Sequence, residues 1–132
     1  MKMAVGIDMV AVERFAKYST CEMAQLQRLF SREEIMYALS NPLKSAERFA
    51  VRFAAKEAFL KAYAQTLPNT ALSLLTIASA VSIHKMNGVP LLDVDWTTLK
   101  NIYSKTVVYN TSVSLTHTNC HATAVVVLYK VG

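Results

Sequence analysis

Residues 46–65, AERFAVRFAAKEAFLKAYAQ, decide the fold. The stretch is rich in alanine and holds neither proline nor glycine, so its backbone loses little on becoming helical. Ser45 stands where it can cap the first turn, and Pro68-Asn69 closes the far end. Ala46, Ala50 and Phe53 fall on one apolar stripe, which gives the predicted helix a face to bury. Upstream, Ser31 followed by Glu34 is a capping-box signature, and it opens a helix that ends before Asn41-Pro42. Another helix is expected at about 22–29, after the polar patch Ser19-Thr20. Residues 10–17 begin a helical pattern through Val10, Arg14 and Lys17, and residues 2–8 read as a short buried strand ending at Asp8.

The C-terminal half is rich in strand signals. Residues 76–85 alternate around Ile77, Val81 and Ile83 and are predicted to be a strand. Asn87-Gly88 is the strongest hairpin signal in the chain, with residues 89–93 as the returning strand. Asp95 can cap a short helix through about Tyr103. Two final strands, 106–116 and 122–131, flank a turn at Thr118-Asn119. This order predicts an α+β fold, with an antiparallel sheet packed against the long helix. With 132 residues, no repeat and no linker, a single domain spanning 1–132 is expected.

Composition narrows the function classes. The hydrophobic fraction of 53% suits one packed core. Lys2 ahead of apolar residues resembles the start of a signal peptide, but Asp8, Glu13 and Arg14 interrupt the run. No segment reaches the roughly eighteen apolar residues needed to span a bilayer. Cys21 and Cys120 form neither a metal-ligand nor a redox spacing, so a reducing, cytoplasmic setting is expected. The net charge is +5, and after Asp95 the chain carries Lys100, Lys105 and Lys130 but no acid. A basic surface favours polyanionic partners. No helix-turn-helix, RNP-like strand or finger motif points to nucleic acid, and no P-loop, dinucleotide fingerprint or nucleophile elbow is present.

Three residues stand out chemically. Glu57 continues the apolar stripe of the long helix, where an unpaired carboxylate is expensive to bury. It either pairs with Lys61 one turn on or holds a cation. Asp8 lies where the first strand gives way to a helix, as an N-cap or as a displayed ligand. Two carboxylates are what a magnesium site takes from protein, with water and phosphate oxygens completing it, provided the fold brings Asp8 and Glu57 together. His117, at the end of a predicted strand, is either a turn residue or a ligand contact.

Three blocks carry a resemblance. They are Gly6-Ile7-Asp8-Met9-Val10 with Glu13-Arg14, the run Glu47-Arg48-Phe49-Ala50-Val51-Arg52-Phe53-Ala54-Ala55-Lys56-Glu57-Ala58-Phe59-Leu60-Lys61-Ala62, and Ser112-Val113-Ser114-Leu115-Thr116-His117-Thr118. Phe30-Ser31-Arg32-Glu33-Glu34 adds a weaker match. Together they resemble the acyl-carrier-protein synthase family of phosphopantetheinyl transferases. The resemblance implies magnesium held by Asp8 and Glu57 against the pyrophosphate of coenzyme A, with Lys61 near the attacked phosphate. It implies Arg52, His117 and Thr118 on the adenosine end and its extra phosphate, lined by the turn from Gly88 to Pro90. It also implies Arg14 facing an acidic helix of the acyl carrier protein, and a homotrimer with sites between subunits. One segment departs from the pattern: where the family has a glycine-rich loop, residues 63–71 read YAQTLPNTA. A non-catalytic module binding coenzyme A or carrier protein is the alternative that this departure leaves open.

Overall fold

The computed structural model describes residues 3–131. Five strands and five helices follow in the order β1 (Met3–Ala11), α1 (Met23–Leu26), α2 (Arg32–Leu39), α3 (Ser45–Thr66), α4 (Leu74–Ala80), β2 (Val81–Met86), β3 (Val89–Val94), α5 (Trp96–Ile102), β4 (Asn110–His117) and β5 (His121–Tyr129). The sheet order β1-β5-β4 is antiparallel throughout, and β2-β3 forms a separate hairpin. The α+β class and the sheet-on-helix packing agree with the expectation from sequence.

Helix α3 is the axis of the molecule. One side meets the sheet, where Ala4 and Val10 of β1 and Ala122, Ala124, Val126 and Leu128 of β5 are buried. Around it Phe49, Ala50, Phe53, Ala54, Ala58, Phe59, Ala62 and Tyr63 are all buried. The small residues along α3 let the sheet approach closely, and Gly6 takes this furthest. A Cβ at Gly6 would lie 1.8 Å from the Ala58 carbonyl oxygen, so no side chain fits there. The free edge of β1 is tied to the same helix. Gln65 Nε2 donates to the Val5 carbonyl at 2.8 Å, and Lys61 Nζ donates to the Ile7 carbonyl at 2.9 Å.

The other side of α3 carries a buried ion pair. Lys56 Nζ lies 2.8 Å from Glu34 Oε1, with both side chains essentially without solvent contact. Glu34 also accepts from Ser31 N at 2.8 Å, closing the predicted capping box, and from Ile83 N at 3.0 Å. Lys56 donates further to the Ala78 carbonyl at 3.0 Å. One pair thereby joins α2, α3, α4 and β2, and its hydrogen bonds offset much of the desolvation that buried charges incur.

Several expected boundaries are corrected. Strand β1 does not stop at Asp8. It runs on to Ala11 because β5 continues to supply partners, pairing Val10 with Ala122 and Ala11 with His121. Where a helical pattern over 10–17 was expected, a single 3-10 turn, Val12–Phe15, forms, and a second, Tyr18–Thr20, follows just beyond it. The helix at 22–29 shrinks to one turn, Met23–Leu26, boxed by Glu22 and Gln25. Ser45 is not the cap of α3. A 3-10 turn, Pro42–Lys44, feeds straight into the helix, and Ser45 already has helical dihedrals. The expected strand 76–85 splits into helix α4, with Ser73 accepting from Thr76 N, and strand β2 from Val81. Ile77 and Val81 are four apart, a spacing that serves a helix as well as a strand. Strand β4 begins at Asn110 rather than 106, because buried Thr106 is held in a loop by bonds to Tyr63, Leu99 and Tyr103. The Asn87-Gly88 hairpin forms as expected, with φ of 53° and 79°, the left-handed pair of a type I′ turn.

Candidate functional site

Strand alternation turns Asp8 toward α3, because Ala4, Gly6, Asp8 and Val10 share the inner face of β1. Lys61 Nζ reaches Asp8 Oδ1 at 3.1 Å. The ion pair of Lys61 is therefore with Asp8 across the sheet–helix boundary, and not with Glu57 on its own helix. The second carboxylate oxygen, Asp8 Oδ2, is buried and has no hydrogen-bond partner among the described residues. Glu57 is held above the usual carboxylate range by burial and then by the negative charge of Asp8, against opposition from Lys61 and Arg14. Arg14 follows β1 on the first 3-10 turn, its guanidinium 5.0 Å from the centre of the Phe53 ring and 5.6 Å from that of Phe15.

An orphaned carboxylate oxygen beside a second carboxylate that is unfavourably charged is a site short of positive charge. Hard divalent cations with oxygen preference suit such a donor set. The residues present thus fit magnesium.

The N-terminal half of α3 makes the second part. A pocket of about 310 Å³ opens between α2, α3, the β2-β3 hairpin and the end of β4. Arg52, Gly88, Pro90 and His117, singled out from sequence, all line it. Tyr37 lines it as well and organises its charge. The Arg48 and Arg52 guanidinium carbons lie 4.1 and 4.5 Å from the centre of its ring, and Lys85 Nζ lies 3.3 Å from its hydroxyl. Burial would raise the Tyr37 phenol, yet the Lys85 hydrogen bond and the charges of Lys85, Arg48 and Arg52 hold it below its ordinary value. Arg52 is almost fully buried, and its Nε has no partner among the described residues. A convergence of Lys44, Arg48, Arg52 and Lys85 on one concavity gives it the charge that an anion would complement.

Tyr37, Lys44, Glu47, Arg48 and Lys85 were not anticipated from the sequence as site residues. A partial signal existed, since Arg48 and Arg52 are one helical turn apart. Thr118 lies just past β4, where its hydroxyl accepts from Cys120 N and His121 N and shapes the β4-β5 turn. The glycine-free segment after the site continues as helix to Thr66, and its Gln65 clasps β1.

The chain matches the family model described as the 4′-phosphopantetheinyl transferase superfamily over residues 4–109. A Treponema denticola protein named holo-acyl-carrier-protein synthase is 36% identical over 128 residues, covering 97% of this chain and 98% of that relative. Among solved structures, the Chronobacterium ammoniagenes ACPS–CoA complex superposes with a TM-score of 0.80 at 24% identity over 98% of both chains, a likeness of fold. The Helicobacter pylori holo-acyl-carrier-protein synthase, solved in complex with coenzyme A, superposes with a TM-score of 0.66 at 26% identity, over 94% of this chain and 98% of that one.

Proposed function

Because the chain belongs to the 4′-phosphopantetheinyl transferase superfamily, we propose that it transfers phosphopantetheine from coenzyme A to a serine of apo-acyl-carrier protein, with magnesium, in fatty acid biosynthesis. One observation carries the reading: along helix α3, Glu57 faces Asp8 of β1 to make a carboxylate pair, and further toward the helix N-terminus a cationic pocket opens. Arg52 and Glu57 are five residues apart, about 7.5 Å of helix rise. A ligand with phosphates at both ends of an adenosine suits that separation of charge.

Asp8 and Glu57 would hold the magnesium ion, which neutralises pyrophosphate oxygens when bound. Lys61 is anchored by Asp8 and the Ile7 carbonyl, which leaves its ammonium beside the same site. It would offset the charge on the phosphate in flight. Arg52 and His117 would take the adenosine end, with Gly88 and Pro90 as its wall and Thr118 fixing the adjoining turn. The serine oxygen bonds to the pantetheine-side phosphorus, the bond to adenosine 3′,5′-bisphosphate breaks, and the hydroxyl proton passes to water or to a carboxylate of the site. Alignment and charge neutralisation do most of the work in such transfers.

Arg14, exposed at the rim, would meet an acidic surface of the carrier protein. The outer face of β1 supports a homotrimer, since Met3, Val5, Ile7 and Met9 are exposed together. Cys21 and Cys120 are free, and no helix among the described residues is long and apolar enough to cross a membrane. Free thiols persist in a reducing compartment, and we assign the reaction to the cytoplasm. Incubation with apo-carrier protein, coenzyme A and magnesium tests the reading: the carrier protein should gain the mass of phosphopantetheine, and binding without mass gain would mark a non-catalytic module.

A further inference from the structure

A carboxylate is out of place in a pocket that gathers cations. Lys44, Arg48, Arg52 and Lys85 line this one, and Glu47 is the one acid among its lining residues. An acid in the first turn of a helix is favoured by the helix dipole, and Glu47 occupies that turn of α3. Its side chain, however, is only 22% exposed, and Oε1 lies 3.0 Å from Nδ1 of His117 at the end of β4. That distance is within reach of a hydrogen bond. With Nδ1 turned to Glu47, a ring that carries hydrogen on both nitrogens keeps Nε2–H as the donor it can offer to an anion.

Resting on the reading of the pocket as the adenosine-end site, we infer that Glu47 is a positioning residue that holds the His117 ring so that Nε2 meets the extra phosphate of coenzyme A. Glu47 therefore acts on a polyanionic ligand in two opposed ways. Its charge repels the ligand, and its grip on His117 favours it. Substitutions separate the two. Glu47→Ala removes both the charge and the acceptor, whereas Glu47→Gln removes the charge and keeps an acceptor in place.

Calorimetric titration with coenzyme A and with 3′-dephospho-coenzyme A reads the difference, after circular dichroism has established that each variant is folded. The preference of Glu47→Ala for coenzyme A over the dephospho form should fall about tenfold, the scale of one charge-assisted contact. Glu47→Gln should recover most of that preference. If the wild type binds coenzyme A and Glu47→Ala keeps its full preference, or if Glu47→Gln fails to recover it, the pocket reading stands and the positioning role is overturned. If the wild type binds neither ligand, the pocket reading fails and this inference with it.

Discussion

Gly6 of β1 and Ala58 of α3 are in such close contact that a Cβ on Gly6 would fall 1.8 Å from the Ala58 carbonyl oxygen. Asp8 is two residues beyond Gly6 on the same strand face, and Glu57 directly precedes Ala58. The absence of a side chain at Gly6 is thus what brings the two carboxylates together. Gly6→Ala should push β1 off the helix, costing about 1–3 kcal/mol or more of stability as overpacking does. It should also weaken magnesium dependence more than the loss of stability accounts for. Thermal melts alongside a magnesium titration of transfer rate check this; a variant with wild-type magnesium response would disconnect Gly6 from the site.

Glu57 works against folding when no cation is bound. Its carboxyl is raised by burial and by Asp8, so the folded chain holds that proton more tightly than the unfolded chain does. Between the unfolded and folded pKa the native state binds more protons, and stability falls as pH rises through that window. The penalty is fully present once the pH exceeds the folded pKa. Glu57→Gln should therefore melt at or above the wild-type temperature in chelator, and magnesium should raise the melting point of the wild type alone. A Glu57→Gln protein that melts lower in chelator would contradict the electrostatic account.

The Glu34–Lys56 pair should behave in the opposite sense. Lys56→Met leaves Glu34 buried among hydrogen-bond donors but without its cation, at a cost of about 3–5 kcal/mol. Glu34→Gln with Lys56→Met should recover part of that loss, because neither partner is then a buried charge. Denaturant melts of the single and double variants decide it, and additive losses would show that the two side chains are not coupled.

Assembly can be tested on the outer face of the sheet. Val5→Glu places a charge among exposed Met3, Ile7 and Met9, and should break a homotrimer into chains of 14.6 kDa. Light scattering before and after the substitution measures this. A wild-type monomer with full activity would remove the trimer from the account.

What could be read from the residues follows from how local each signal is. Helix α3 was legible because alanine content and the lack of proline and glycine act residue by residue, and the Asn87-Gly88 turn because two left-handed residues have few alternatives. Asp8 and Glu57 drew notice as acids in apolar settings, which is a property of their neighbours in the chain. The end of β1 was misplaced because its last pairs depend on β5, more than a hundred residues away. Helix α4 was misread because Ile77 and Val81 satisfy two periodicities, and its contact with Lys56 selects one of them. The cluster around Tyr37 was invisible for a similar reason. Arg48, Arg52 and Lys85 reach one ring only after α2, α3 and β2 have packed together.

The central claim is that Asp8 and Glu57 form one magnesium-dependent transfer site, and the rate of phosphopantetheine transfer to apo-carrier protein, followed by mass spectrometry, tests it most directly. Asp8→Asn and Glu57→Gln, both folded, should each slow transfer on the order of a hundredfold or more at limiting magnesium, the scale at which single transition-state contacts act. Wild-type rates in both variants would contradict the claim.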